Sequence, residues 1–355
     1  LFTLPVKGVG FQIKIFNSQA FKHQLPPVLI ALTILFGELM FRFIWLVLIT
    51  LSFATLAAQA QKLHSAVEYQ NRGLERQGNG DLAGAIADYD TAISLDPRMS
   101  EAYNNRGNAK LAQGDMAGAI SDYDKVIELR PRDELAYYNR GLAHLNNNNY
   151  DAAIADFTTS LEIVPTLTNS FINRGNARRG KGDLDGALAD YSKAIESTPV
   201  SYEGYYDRGT VRLEKGDADG ALADLTKAIE IYPGSADAYI NRANVWQAKE
   251  DLKKAMADYN KAVELNPQDA VMYYSRATAF QKMKQLAEAD ADYTKAIALD
   301  PKMASAYVNR GVIRLLQGRE TEADQDFNKG FGLDPGLKPS FEKFIVDTKK
   351  YRAKK

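Results

Sequence analysis

The sequence predicts an all-helical chain made by repeating one helical hairpin, and three observations predict it. Eight of the twelve prolines fall 34 residues apart, at Pro97, Pro131, Pro165, Pro199, Pro233, Pro267, Pro301 and Pro335. A small residue keeps the same step at Gly73, Gly107, Gly141, Gly175, Gly209, Ala243, Ala277 and Gly311. An aromatic keeps it at Tyr69, Tyr103, Tyr137, Phe171, Tyr205, Tyr239, Tyr273 and Tyr307. A fixed period of this length is the signature of a stacked-repeat architecture. No insertion interrupts it, so eight units fill residues 66–337: 66–99, 100–133, 134–167, 168–201, 202–235, 236–269, 270–303 and 304–337.

Ahead of the repeats, residues 43–58 read FIWLVLITLSFATLAA without a charge, after Arg42 and before Ala58-Gln59-Ala60. A basic start, a short apolar stretch and a small-x-small ending make a secretory signal peptide over residues 40–60, with cleavage expected after Ala60. Met40 then reads as the start, and residues 1–39, which open with Leu, as an over-extended gene model. A membrane anchor is the alternative. Residues 28–58 form a longer apolar block broken by Gly37, Glu38 and Arg42, although the uncharged run falls just short of the roughly 17–25 residues a spanning helix needs. The expected location is periplasmic or secreted, or the inner membrane if the leader is retained.

Within each unit the first half places aromatic and small residues four apart, on one helix face, where a neighbouring backbone can come close. Gly-Asp then marks a turn at Gly80-Asp81, Gly114-Asp115, Gly182-Asp183 and Gly216-Asp217. Glycine takes the left-handed conformation that ends a helix, and Asp accepts the orphan amides that start the next. Asn146 to Asn149 replace this pair in the third unit, and Asn also tolerates left-handed geometry. The second half is apolar at helical spacing and stops before its proline. After the last unit, residues 338–355 read as a capping helix and basic tail. Phe341, Phe344, Ile345 and Thr348 share one face, and Pro339 sits where a first-turn proline is tolerated. This cap is expected to explain why Gly330 stands where the repeat wants Ala.

These units resemble tetratricopeptide repeats, in which an early aromatic, Gly at position eight, Ala at twenty, an aromatic at twenty-four, Ala at twenty-seven and Pro at thirty-two recur. Position twenty is Ala in all eight units, from Ala85 and Ala119 to Ala323. The resemblance implies antiparallel helix pairs stacked into a right-handed superhelical solenoid whose first helices line the concave side. One hairpin cannot bury its apolar face alone, so stacking is required.

Two positions stand out against that pattern. Position seven, usually Leu in the family, is Arg throughout: Arg72, Arg106, Arg140, Arg174, Arg208, Arg242, Arg276 and Arg310. Position twenty-three is Asp throughout: Asp88, Asp122, Asp156, Asp190, Asp224, Asp258, Asp292 and Asp326. A half-buried guanidinium without a partner is costly, so these are expected to form structural ion pairs across a hairpin or to its neighbour. A ligand-binding arginine row is the alternative.

Position six reads Asn71, Asn105, Asn139, Asn173, Asp207, Asn241, Ser275 and Asn309, and the resemblance implies that it faces the groove. An Asn amide matches the donors and acceptors of a peptide unit. The row is similar to the asparagine ladder that grips peptide backbone in the superhelix of O-linked N-acetylglucosamine transferase. Position nine adds Asn108, Asn176 and Asn244, and position five adds Tyr138, Tyr206 and Tyr274 alternating with Ile172, Ile240 and Val308. Together these are the expected peptide-binding groove, unless Asn is merely common at position six and position five merely packs.

Composition narrows the function. The 355 residues are 45% hydrophobic and 25% charged with net charge −1 and no cysteine, which excludes disulfides, thiolate metal sites and thiol nucleophiles. The balance is uneven: residues 1–60 carry +3 and residues 338–355 carry +5, leaving residues 61–337 at −9. Nothing here is a basic footprint for nucleic acid. The family's clamp for acidic chaperone tails uses Lys at positions two and five, and neither position is Lys in any unit.

Signals of chemistry dissolve on inspection. Gly175 to Lys181 nearly spells a phosphate loop, but Gly182 replaces the Ser or Thr and the stretch falls in a repeat helix. The stretches Asp183–Gly186 and Asp217–Gly220 lack the closing Glu of a calcium loop. No catalytic residue, metal or cofactor is expected, nor any enzyme activity. The expected partner is a protein or extended peptide held in the groove, with membrane contact only through an uncleaved leader. A membrane-tethered scaffold subunit of an envelope complex is the alternative.

Overall fold

The computed structural model of the chain describes residues 27–352. Residues 1–26 of the expected over-extension and the last three residues of the basic tail lie outside the described residues. Among the described residues there are seventeen α-helices and no strand.

The first helix, α1, runs unbroken from Pro27 to Gly78. No Pro or Gly interrupts residues 38–72, so nothing stops the helix between the expected cleavage point and the first unit. Its final turns pair with α2 (Leu82–Leu95) as the first hairpin. Seven hairpins follow: α3 (Ser100–Ala112) with α4 (Met116–Leu129), α5 (Glu134–Asn146) with α6 (Tyr150–Ile163), α7 (Thr168–Gly180) with α8 (Leu184–Ser197), and α9 (Tyr202–Glu214) with α10 (Ala218–Ile231). The last three are α11 (Ala236–Ala248) with α12 (Leu252–Leu265), α13 (Ala270–Lys282) with α14 (Leu286–Leu299), and α15 (Ala304–Gln317) with α16 (Glu320–Leu333). A single 3-10 turn, Pro335–Leu337, leads into α17 (Lys338–Arg352).

The turns form as their residues dictate. Gly182 has φ +86°, and Asp183 caps α8 by accepting the Gly186 amide at 2.9 Å. Where the left-handed glycine is missing, Asn148, Glu250 and Lys284 take φ values of 55°, 62° and 58° in its place. Each hairpin closes on one contact. A Cβ on Gly175 would stand 2.6 Å from the ring of Tyr191, so glycine at position eight lets the two helices meet around a fully buried aromatic. The fifth hairpin departs, with Leu225 in the aromatic's place, and in the sixth and seventh Ala243 and Ala277 stand at position eight beside Tyr259 and Tyr293. All eight position-twenty alanines are completely buried. The core runs from hairpin to hairpin, as where Ala85 and Tyr89 pack on Ala109 of α3.

At the C-terminal end, Phe341 and Ile345 of α17 pack on Val308, Val312, Leu315 and Phe327. Phe344, expected on the same stripe, is 40% exposed instead. Three residues carry it about 300° around the helix from Phe341, whereas Ile345 lies four away. Gly330 also has a different cause from the one expected. A Cβ there would lie 2.6 Å from Val308 Cγ2 and 3.0 Å from the Ala304 carbonyl, so the close approach of α15 to α16 demands it, not the cap.

Among the described residues no other element covers the apolar part of α1: from Leu39 to Leu56 its large side chains are exposed. Among the described residues it is the one helix long and apolar enough to cross a membrane, with a mean hydropathy of 2.0 in its most apolar stretch.

Candidate protein-binding groove

The inner side of the stack follows from which helices meet. From α1 to α13 each hairpin's first helix touches the first helix of the next, while second helices make no comparable contact. A stack that is tighter along one row of helices curves toward that row. The first helices therefore line the concave side.

Beneath that surface the position-seven arginines form a continuous ladder. Each donates Nε at 2.7–3.0 Å and Nη2 at 2.5–2.8 Å to the Asp sixteen residues on, in its own hairpin. The third nitrogen, Nη1, reaches back to position twenty-five of the preceding hairpin. Its acceptors are Asp90, Asp124, Thr158, Ser192, Thr226, Asn260 and Thr294, at 2.5–3.3 Å. The guanidinium also lies 4.8–5.7 Å from the centroid of the position-four aromatic in its own helix. The eight carboxylates retain at most 10% side-chain exposure. Burial of this depth is tolerated because bidentate bonds satisfy the charge. The Arg72 bond holds the Asp88 carboxyl below its ordinary range. From Arg106 to Arg310 all three guanidinium nitrogens are engaged by protein acceptors, whereas Arg72, with no hairpin before it, is held through Nε and Nη2 alone. The link to position twenty-five was not anticipated, although a polar residue at that position in the first seven units was its visible signal.

Position six is engaged differently from a free peptide ladder. Asn173, Asn241 and Asn309 each donate Nδ2–H to the hydroxyl of Tyr138, Tyr206 and Tyr274 in the preceding hairpin, at 3.0, 3.1 and 3.0 Å. Asn139 donates to Asn104 Oδ1 at 3.0 Å and is almost fully buried. Asn71 and Asn105 make no side-chain hydrogen bond among the described residues, and neither do Asp207 and Ser275. At position nine, Asn108, Asn176 and Asn244 accept from the buried hydroxyls of Tyr123, Tyr191 and Tyr259 at 2.7, 2.7 and 2.6 Å. Those three side chains thus turn their carbonyls into their own hairpins, where the tyrosine hydroxyl would otherwise lack an acceptor.

Asp207 is the one carboxylate in the position-six row. Burial pushes its pKa up to about 6, partly countered by Arg179 and reinforced by Glu203. Arg179 is itself held by Glu214 of the next hairpin. Tyr202 stacks on Tyr206 with centroids 5.6 Å apart, and burial raises Tyr206 to about 12, so its hydroxyl stays neutral.

The chemistry-like motifs are structural. Lys181 pairs with Asp151, and Asp183 and Asp217 are helix caps. No group of three or more His, Asp or Glu among the described residues is placed to hold a metal.

Comparison with known proteins agrees with this architecture. Family models described as TPR repeat match residues 78–114 and 107–148. Models described as tetratricopeptide repeat match 172–236 and 274–336, and 135–167 and 236–269. No curated protein matches the chain. Among solved structures, a tetratricopeptide repeat protein from Parabacteroides merdae is similar at 18% identity and a TM-score of 0.57, over 76% of this chain and 99% of that one. The Cut9–Hcn1 hetero-tetramer of APC/C is similar at 16% identity and 0.56, over 76% of this chain and 52% of that one. YrrB, titled a TPR protein with an unusual peptide-binding site, is similar at 24% identity and 0.45, over 55% of this chain and 97% of that one.

Proposed function

Because the chain belongs to the tetratricopeptide repeat family, we propose that it is a non-enzymatic adaptor that holds a protein partner's extended segment along its concave side. The row of half-buried polar and aromatic residues on the first helices, with Asp207 half-buried and without a side-chain hydrogen bond among them, carries this reading. A partly desolvated carboxylate without a hydrogen-bond partner is costly, and titratable groups shifted in this way cluster where a ligand completes them. The acidic balance of residues 61–337 favours neutral or basic partners. Affinity capture from envelope extract, followed by mass spectrometry, tests it with wild-type protein and the Asn139→Ala, Asn173→Ala, Asn241→Ala triple variant. Partners retained equally by both proteins would refute the groove reading.

The leader supports two locations. Cleavage after Ala60 releases the solenoid into the periplasm. Retention makes it a membrane-tethered scaffold subunit, a reading favoured by the unbroken run of α1 from its exposed apolar part into the first hairpin. Sequencing the N-terminus of the exported protein decides: Gln61 as first residue supports release, and a residue upstream of it supports the tether.

A further inference from the structure

The eight hairpins share a 34-residue period, but the groove does not. From the third hairpin onward position five alternates Tyr138, Ile172, Tyr206, Ile240, Tyr274, Val308. The aliphatic members are buried, at 7%, 7% and 0% exposure, while the tyrosines remain partly exposed. Each tyrosine hydroxyl accepts the Asn amide of the following hairpin, at 3.0–3.1 Å. No such bond crosses from Ile172 to Asp207 or from Ile240 to Ser275. From the third hairpin to the eighth the repeat of the groove is therefore two hairpins long.

A hydroxyl that accepts from an amide keeps its own proton to donate. Among the described residues no acceptor takes the O–H of Tyr138, Tyr206 or Tyr274. Tyr138, like Tyr206, is raised by burial and stays neutral. The arrangement fixes the hydroxyl's accepting side on protein and leaves its donating side for a ligand acceptor, three times over, although Tyr138 and Tyr274 pack on the rings of Phe157 and Tyr293 and Tyr206 on that of Tyr202.

We propose that the groove carries three subsites, Tyr138–Asn173, Tyr206–Asn241 and Tyr274–Asn309, each donating one phenolic O–H to a backbone carbonyl of a single extended polypeptide. With neighbouring helices about 10 Å apart, subsites two hairpins apart lie about 20 Å apart. An extended chain rising about 3.3 Å per residue covers that in about six residues. The partner is thus an extended segment of about thirteen residues or more, gripped at every sixth residue and not at every third. This deepens the groove reading proposed above and rests on it.

The probe is a displayed library of random 16-residue peptides, selected on the full chain. The best binder is then resynthesised with each amide in turn replaced by an ester, which weakens the carbonyl as an acceptor. Sensitive positions recurring about six residues apart support the proposal. So does a Tyr206→Phe variant, with an unchanged melting temperature, that binds about three- to tenfold more weakly, the effect of one lost hydrogen bond, and loses sensitivity at the central position only. Sensitivity recurring every three residues, or Tyr→Phe variants that bind as wild type, would overturn the two-hairpin period and leave the groove reading standing. A selection that enriches no peptide overturns both.

Discussion

Replacing Asp190 with alanine removes the shared acceptor of two cations at the centre of the solenoid. Its carboxylate takes Arg174 Nε at 3.0 Å, Arg174 Nη2 at 2.7 Å and Arg178 Nη1 at 2.8 Å, and its side chain is only 3% exposed. Removing one partner of a buried pair costs about 3–5 kcal/mol, because the other charge is left uncompensated. Two features pull the value toward the lower end. Arg178 keeps the Gly186 carbonyl at 3.3 Å, and Arg174 keeps Thr158 Oγ1 at 3.1 Å. We therefore expect a loss of about 3 kcal/mol, equivalent to roughly 4 °C in melting temperature for a chain of this size. Thermal and urea denaturation followed by circular dichroism measure it. Asp185→Ala is the control: that carboxylate is 86% exposed and pairs with Lys215, so its loss changes stability by less than about 1 kcal/mol. An Asp190→Ala protein that melts with the wild type would show that the ladder is ornamental and the reasoning wrong.

Four further outcomes are expected. Asp207 has a higher pKa folded than unfolded, so the native state binds the extra proton and stability falls as pH rises from about 4 to about 6; Asp207→Asn abolishes that fall and adds about 1–3 kcal/mol at pH 7, as urea titrations at pH 4.5 and 7 would register. Lys284→Gly relieves a side chain held at φ 58° and stabilises by about 0.5–1 kcal/mol, with Glu250→Gly doing the same; a lowered urea midpoint in either would contradict this. Phe341→Ala destabilises by about 2 kcal/mol through the packing of α17 on Val308 and Phe327, while Phe344→Ala stays within about 0.5 kcal/mol; equal losses would place both rings on one face. Amide exchange is expected to be faster in α2, whose partner Arg72 is 52% exposed, than in α4 to α14, whose arginines are 15–23% exposed, and equal protection in α2 would argue against the ladder's contribution.

Much of this molecule was legible because its information is local and repeated. The proline step, the Gly-Asp turns and the small residue opposite an aromatic each act within one hairpin, and their spacing states the fold directly. The Arg and Asp rows also announced a partnership, since eight half-buried guanidinium groups need eight acceptors. Less legible was what passes between hairpins. The donation of Arg174 Nη1 back to Thr158, and of Asn173 to Tyr138, depends on how one hairpin is rotated onto the next, a quantity set by packing and not by any residue pattern within a unit. For that reason the amides of Asn173, Asn241 and Asn309 read as free for a ligand, although one hydrogen of each is already committed. The left-handed Glu250 and Lys284 were hidden for the opposite cause: the surrounding helices over-determine the turn, so the sequence could leave the favoured glycine out. Phe344 was misplaced by the coarse view that any apolar residue near a helical spacing joins the stripe.

The ladder has a direction. Every arginine after the first leans on the hairpin before it, but Arg72 has no predecessor and its side chain is 52% exposed, against 11% for Arg310 at the far end. There, Arg352 of α17 is tied to the Leu315 and Leu316 carbonyls, closing the stack. A pull applied from the leader side would meet its weakest clasp first and peel hairpins away in order, as a zip opens from its slider.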